Sequence, residues 1–166
     1  MTFAFSALGF LTKGPIAVLV PVAVTFIHCI SLQRVSGWLR SVFSPVGILI
    51  FVVIALPWYV MRTAEEGRAF IDAFFLLHNV GRFKGPMQGH AGSLFYYLPI
   101  VLLAVFPFTA IAIGVLIRFR TYWQDQTSRF LLLWFFFVVF FFSLSGTKLP
   151  HYVLYGLPGL FLLMAR

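Results

Sequence analysis

The sequence has 166 residues, of which 61% are hydrophobic and only 10% charged, with Phe alone occurring 22 times. A mean hydropathy of +1.01 is more apolar surface than a water-soluble domain of this size can hide, so a soluble enzyme or binding module is excluded and lipid is the expected solvent. The formal charge of +8 comes from Lys and Arg scattered singly between apolar runs, which argues against a nucleic-acid-binding face and for anionic headgroups or an anionic lipid substrate as partners.

In chain order, residues 1–12 form an apolar stretch too short to cross a bilayer alone. Stretches 15–32, 41–60, 94–117, 130–144 and 149–165 come near the roughly 20 residues that a spanning helix needs. Runs such as Phe135-Phe136-Phe137 and Phe140-Phe141-Phe142 are apolar on every face, as a lipid-embedded helix is. The expected fold class is therefore all-α, a polytopic transmembrane helical bundle of about five full spans plus a partial N-terminal one, with 1–166 a single transmembrane region. Pro21, Pro57, Pro99, Pro107 and Pro158 are tolerable in such spans where neighbours satisfy the freed carbonyls. Cys29 is the only cysteine, so no intrachain disulfide and no Cys metal pattern is possible. The first residues lack the basic region and cleavage signature of a secretory leader.

Connections 33–40 and 118–129 are short and carry Arg34, Arg40, Arg118, Arg120, Arg129 and Asp125, the pattern of cytoplasmic loops. Connection 61–93 is longer, holds Glu65, Glu66, Arg68, Asp72, His78, Arg82, Lys84 and His90, and contains an amphipathic stretch, 69–77, suited to the membrane interface. If the intervening stretches all cross, two crossings separate Lys13 from this connection and two more separate it from Lys148, so the three polar clusters share one face. Counting Lys and Arg leaves the absolute orientation open, because the two faces tie.

Lys13 lies in Leu11-Thr12-Lys13-Gly14-Pro15, where Gly and Pro interrupt an apolar run beside an ammonium. It reads either as an anion site at a helix start or as a snorkelling lysine at a membrane boundary. Lys148 repeats the arrangement in Ser145-Gly146-Thr147-Lys148-Leu149-Pro150-His151-Tyr152. His151 reads as a pH-sensitive group or an ordinary interfacial residue, and Tyr152 and Tyr155 as belt residues unless they line a cavity. His78-Asn79-Val80-Gly81-Arg82-Phe83 puts His78 and Arg82 four apart, on one face if helical, and the Arg82 fork suits phosphate oxygens as well as it suits pairing with Glu65, Glu66 or Asp72. Those acids lack metal-ligand spacing and read as local salt-bridge partners, so no metal ligand is assigned, although a divalent metal stays open as a cofactor. Tyr96, Tyr97, Trp58 and Tyr59 read as headgroup-level aromatics.

In order along the chain, Leu11-Thr12-Lys13-Gly14-Pro15, Leu56-Pro57-Trp58-Tyr59, His78-x-x-x-Arg82-Phe83, Phe95-Tyr96-Tyr97-Leu98-Pro99 and Gly146-x-Lys148-Leu149-Pro150-x-Tyr152 resemble the central part of bacterial GT-C type polyprenyl-phosphate-sugar glycosyltransferases, above all the lipid A aminoarabinose transferases and protein-mannosyltransferase-like enzymes. The resemblance implies a multi-pass enzyme of the bacterial inner membrane that moves a sugar from an undecaprenyl-phosphate or similar carrier to a lipid A, glycan or protein acceptor at the periplasmic face. It implies Lys13 and Arg82 as carrier-phosphate ligands, with Lys148, Tyr152 and His78 in support, since displacing a sugar from phosphate builds negative charge that placed cations stabilise. The family's acidic catalytic motif, in an early external loop, has no counterpart before Lys13, so the expectation is a fragment lacking the N-terminal catalytic part and the C-terminal remainder. Other readings of the same residues are a transporter or flippase for an anionic lipid-linked substrate, and a structural membrane subunit. The first would be favoured by an inverted repeat, and none is visible.

Overall fold

A computed structural model describes residues 1–81, 83, 85 and 92–166, with the side chains of 75, 76 and 78–80 outside what it describes. Every regular element among the described residues is helical, and the chain gathers into two compact units, Met1–Gly81 and Arg82–Arg166.

The first unit comprises α1 (Thr2–Lys13), α2 (Ile16–Ser31), α3 (Val35–Val42), α4 (Pro45–Glu66) and α5 (Arg68–Ile71), followed by a π-helical segment, Asp72–Gly81. α1 and α2 form a hairpin at Gly14-Pro15: Gly14 has φ 71° and ψ −157°, a conformation open essentially to glycine, and Pro15 supplies the fixed φ that starts the next helix. Small residues let the two helices approach, as a Cβ on Gly9 would stand 3.2 Å from the Ala17 Cβ. α4 starts at Pro45, where the Ser44 hydroxyl accepts from the Gly47 amide at 3.4 Å. Its 22 residues reach about 33 Å, enough for a hydrocarbon core of about 30 Å. Leu49, Val53, Leu56 and Val60 stand outward, Val53 at 62% exposure, an apolar surface of the kind a membrane environment accommodates.

The second unit comprises α6 (Tyr97–Ala104), α7 (Thr109–Ile117), α8 (Phe119–Gln124), α9 (Gln126–Leu144), a 3-10 turn (Pro150–Tyr155) and α10 (Leu157–Met164). α9 buries Leu132, Phe135, Val138 and Phe142, and α10 buries Leu157, Leu160 and Leu163 where the two pack together. Glycine permits the close approach: a Cβ on Gly159 would lie 2.8 Å from the Leu131 carbonyl oxygen, and one on Gly156 3.1 Å from the Val138 Cβ. Trp134 fastens the 3-10 turn by donating Nε1–H to the Tyr155 carbonyl at 2.7 Å. Asp125 caps the start of α9, accepting from the Ser128 amide at 2.9 Å and hydroxyl at 2.8 Å, and pairs with Arg166 at 2.7 Å.

The boundaries depart from the sequence reading in physically explicable places. Connection 33–40 is mostly helix, because Val35, Trp38, Leu39 and Val42 repeat at helical spacing, and Trp38 Nε1–H donates to the Thr25 hydroxyl at 3.0 Å. α4 runs past residue 60 because Arg62 pairs one turn on with Glu65, at 2.9 Å, and with Glu66. Stretch 149–165 begins as a 3-10 turn and turns α-helical only after Gly156. Stretch 94–117 is broken: α6 and α7 diverge by 119° across a break that contains Pro107. Among the described residues, α4 and α9 are long and apolar enough to cross a membrane, and the broken pair makes a third if it is one span. Tyr97 is tied to Leu149 just beyond the end of α9, whereas α8 packs on α9 near its start, with Arg129 Nε–H on the Trp123 carbonyl at 2.8 Å. Among the described residues the chain has the all-helical build of a membrane protein.

Candidate functional site

In the second unit, the link between α9 and the 3-10 turn carries a buried cation. Lys148 is 5% exposed, and its Nζ donates to the Ser143 carbonyl at 2.6 Å and the Ser145 carbonyl at 2.9 Å. These oxygens belong to the end of α9, where carbonyls lack intrahelical partners and the helix dipole is negative, so the ammonium caps the helix. Burial pushes the Lys148 pKa down from its ordinary 10.5. Its stem passes beside Gly92, where any Cβ would come 2.8 Å from the Lys148 Cδ.

Two other stretches are fastened to this link. The Tyr97 hydroxyl donates to the Leu149 carbonyl at 3.1 Å and accepts from the Leu149 amide at 3.2 Å, with the tyrosine itself 1% exposed. The Gly146 amide donates to the Phe83 carbonyl at 2.8 Å, and the Thr147 hydroxyl to the Gly85 carbonyl at 2.9 Å. Gly146 is required there, since a Cβ would fall 2.6 to 2.7 Å from Gly85 backbone atoms. The Tyr152 ring lies on Phe142 at 4.5 Å between centroids, with His151 edge-on at 4.9 Å. Three of the resembling motifs, those holding Phe83, Tyr97 and Lys148, thus meet at one end of α9.

Within the first unit, the motifs holding Lys13 and Tyr59 also meet. The buried Tyr59 hydroxyl donates to the Phe10 carbonyl at 3.0 Å, and the same oxygen accepts the Gly14 amide at 2.8 Å. Lys13 is exposed in the last turn of α1, so it ends one helix, with α2 starting three residues later, and does not open a helix itself. An open groove of about 410 Å³ lies along α4 here, lined by Leu56, Tyr59, Val60, Thr63 and Ala64.

Of the residues expected from sequence, Lys148 and Tyr152 both stand at the end of α9, Lys148 on the Ser143 and Ser145 carbonyls and Tyr152 on the Phe142 ring. His78 lies in the π-helical segment, its side chain outside the described residues, and Arg82, Lys84 and His90 lie outside them altogether. Glu65 and Glu66 take the local salt-bridge role with Arg62 as partner, while Asp72 is exposed at the start of the π-helical segment. Among the described residues, no group of three or more His, Cys, Asp or Glu is placed to hold a metal ion.

Sequence reasoning passed over Tyr97, Tyr59 and Gly92. The two tyrosines carried the signature of belt residues, but in each motif an exposed aromatic, Phe95 or Trp58, precedes the buried tyrosine by two residues or one, so aromatic rings of one motif face different surroundings. Gly92 had no signal apart from the small-residue run before Tyr96.

No protein-family model matches the chain. Over 95% of its length it is 33% identical to undecaprenyl phosphate-alpha-4-amino-4-deoxy-L-arabinose arabinosyl transferase of Serratia proteamaculans (strain 568), and equally so to the protein of that name from Yersinia pestis (strain Pestoides F). It spans 28% of the length of those relatives. Crystal structures of ArnT from Cupriavidus metallidurans match 98% of the chain at 25% identity, with a TM-score of 0.85 for the structure bound to undecaprenyl phosphate and 0.80 for the apo state, over 29% and 28% of those chains. The likeness expected from the five motifs therefore holds in both sequence and fold.

Proposed function

We propose, with that likeness as premise, that the chain is the carrier-binding segment of an inner-membrane glycosyltransferase. The enzyme transfers a sugar from an undecaprenyl-phosphate-type carrier to lipid A, a glycan or a protein at the periplasmic face. The observation that supports this most directly is the match of 98% of the chain, at a TM-score of 0.85, to a transferase crystallised with undecaprenyl phosphate. In this reading the chain crosses the bilayer in about five full spans with α1 a partial one, counting α2, the broken pair, and the 3-10 turn with α10 alongside α4 and α9.

Lys13 and Arg82 hold the carrier phosphate. When the sugar leaves its phosphate, negative charge grows on the phosphate oxygens, and cations already in place stabilise that charge without reorganisation. Arg82 offers the planar fork and Lys13 a point charge. Lys148, Tyr152 and His78 support the site.

The test is carrier binding by the chain in lipid nanodiscs, with undecaprenyl phosphate compared with undecaprenol. Preference for the phosphate, reduced at least about tenfold in Lys13→Ala and Arg82→Ala, is expected for a charge-assisted contact. No preference for the phosphate, or full affinity in both variants, would overturn the assignment.

A further inference from the structure

We infer that Tyr97 is a positioning residue whose hydroxyl sets Tyr152 and Lys148 through the Leu149 backbone, a role that rests on the carrier-binding reading above.

Leu149 is extended, with φ −123° and ψ 133°, so its N–H and C=O point the same way and one oxygen holds both. The Tyr97 O–H donates to the Leu149 carbonyl at 3.1 Å, and the Leu149 N–H returns a bond to the same hydroxyl at 3.2 Å. A hydroxyl has one donor and two acceptor sites, so this reciprocal pair uses its donor and one acceptor site. The Leu149 carbonyl also accepts the Tyr152 amide at 3.0 Å, which closes the first turn after Pro150. Tyr97 therefore fixes the oxygen on which the Tyr152 backbone turns, while the ring of Tyr152 rests on Phe142 of α9. On the N-terminal side of Leu149, the Lys148 ammonium is tied to the Ser143 and Ser145 carbonyls. Leu149 thus follows Lys148 directly in the chain and accepts the turn bond from the Tyr152 amide, so its backbone links two side chains of the supporting set.

The grip is built for rigidity. Tyr97 is the largest fully buried side chain among the described residues, and Tyr96 closes over it edge-on at 5.1 Å. Backbone groups held without water do not readily exchange partners, since each would cost its desolvation before finding another. The neighbouring Tyr96 has no comparable bond among the described residues, which makes it the matched control.

The test uses the full chain in nanodiscs with 3-fluorotyrosine placed at Tyr152. A single sharp fluorine resonance is expected in the parent chain and in Tyr96→Phe, and a split or broadened one in Tyr97→Phe, which keeps the ring and removes only the hydroxyl. Undecaprenyl phosphate affinity should fall about tenfold in Tyr97→Phe and stay within about twofold in Tyr96→Phe. Unchanged resonance and unchanged affinity in Tyr97→Phe would overturn the inference. Hydrogen exchange at the Leu149 amide of the parent chain needs no variant: protection matching the middle of α9 supports the grip, and loop-like exchange overturns it. Failure of the parent chain to bind undecaprenyl phosphate would sink the carrier reading and with it the functional role, whereas the fluorine and exchange results would still decide whether Tyr97 sets Tyr152.

Discussion

The Lys148 ammonium lies 2.6 Å from the carbonyl oxygen of Ser143, five residues back in the chain, so the cation that stands out in the sequence is spent first on closing its own helix. A helix end of this kind leaves carbonyls facing inward, and a lysine that returns to them exchanges water for fixed oxygens.

Lys148→Met keeps an apolar stem of similar length but strips two carbonyls of their donor. It should destabilise the folded chain by about 1–3 kcal/mol, read by unfolding in mixed micelles. The comparison also has a pH signature. Burial lowers the folded-state pKa below the 10.5 of the unfolded chain, so the unfolded state binds more protons between those two values and stability rises with pH in that window. The parent chain should gain stability relative to Lys148→Met as pH climbs towards 10.5 from the lowered value. A difference that does not change with pH there would contradict the burial of the ammonium.

Gly146→Ala brings a Cβ to within 2.6 to 2.7 Å of Gly85 backbone atoms, which cannot swing away as a side-chain tip can. The expected cost is about 1–3 kcal/mol, with loss of protection at the Gly146 amide that donates to Phe83. Gly114→Ala in α7 meets nothing within 4 Å and should be neutral or stabilising by about 0.5–1 kcal/mol. Equal effects at the two glycines would defeat the argument from close approach.

Gly14→Ala forces a side chain into φ 71°, ψ −157°, at a cost of about 1–3 kcal/mol. Gly37→Ala, in open space within α3, serves as the control and should not destabilise. Thermal unfolding of both variants in the same detergent decides the matter.

At the other end of α9, the Ser128 amide and hydroxyl, followed by Arg166, hold the Asp125 carboxyl below its ordinary 3.8. The stabilisation is therefore complete above 3.8 and is lost as pH falls through the lowered folded value. Asp125→Asn should keep the cap and flatten this acid-side dependence, whereas Asp125→Ala should also speed amide exchange at Ser128. Identical acid profiles for the parent and Asp125→Asn would show that the carboxylate is not the group responsible.

Much of the architecture was legible in the sequence, because hydropathy and helical periodicity are local and additive. Uncharged runs such as that around Phe135 to Phe142 dictate a lipid-facing helix whatever lies beside them, and the order of five short motifs carried the likeness to the aminoarabinose transferases. What the sequence could not decide was which polar groups meet. Tyr96 and Tyr97 are adjacent and chemically equal, and only the packing of α6 against a link 52 residues away turns one of them onto Leu149. Lys148 likewise reads as a free cation until the end of α9 is placed beneath it. Such pairings depend on the register of one helix against another, which is a property of the assembled core and of no single segment.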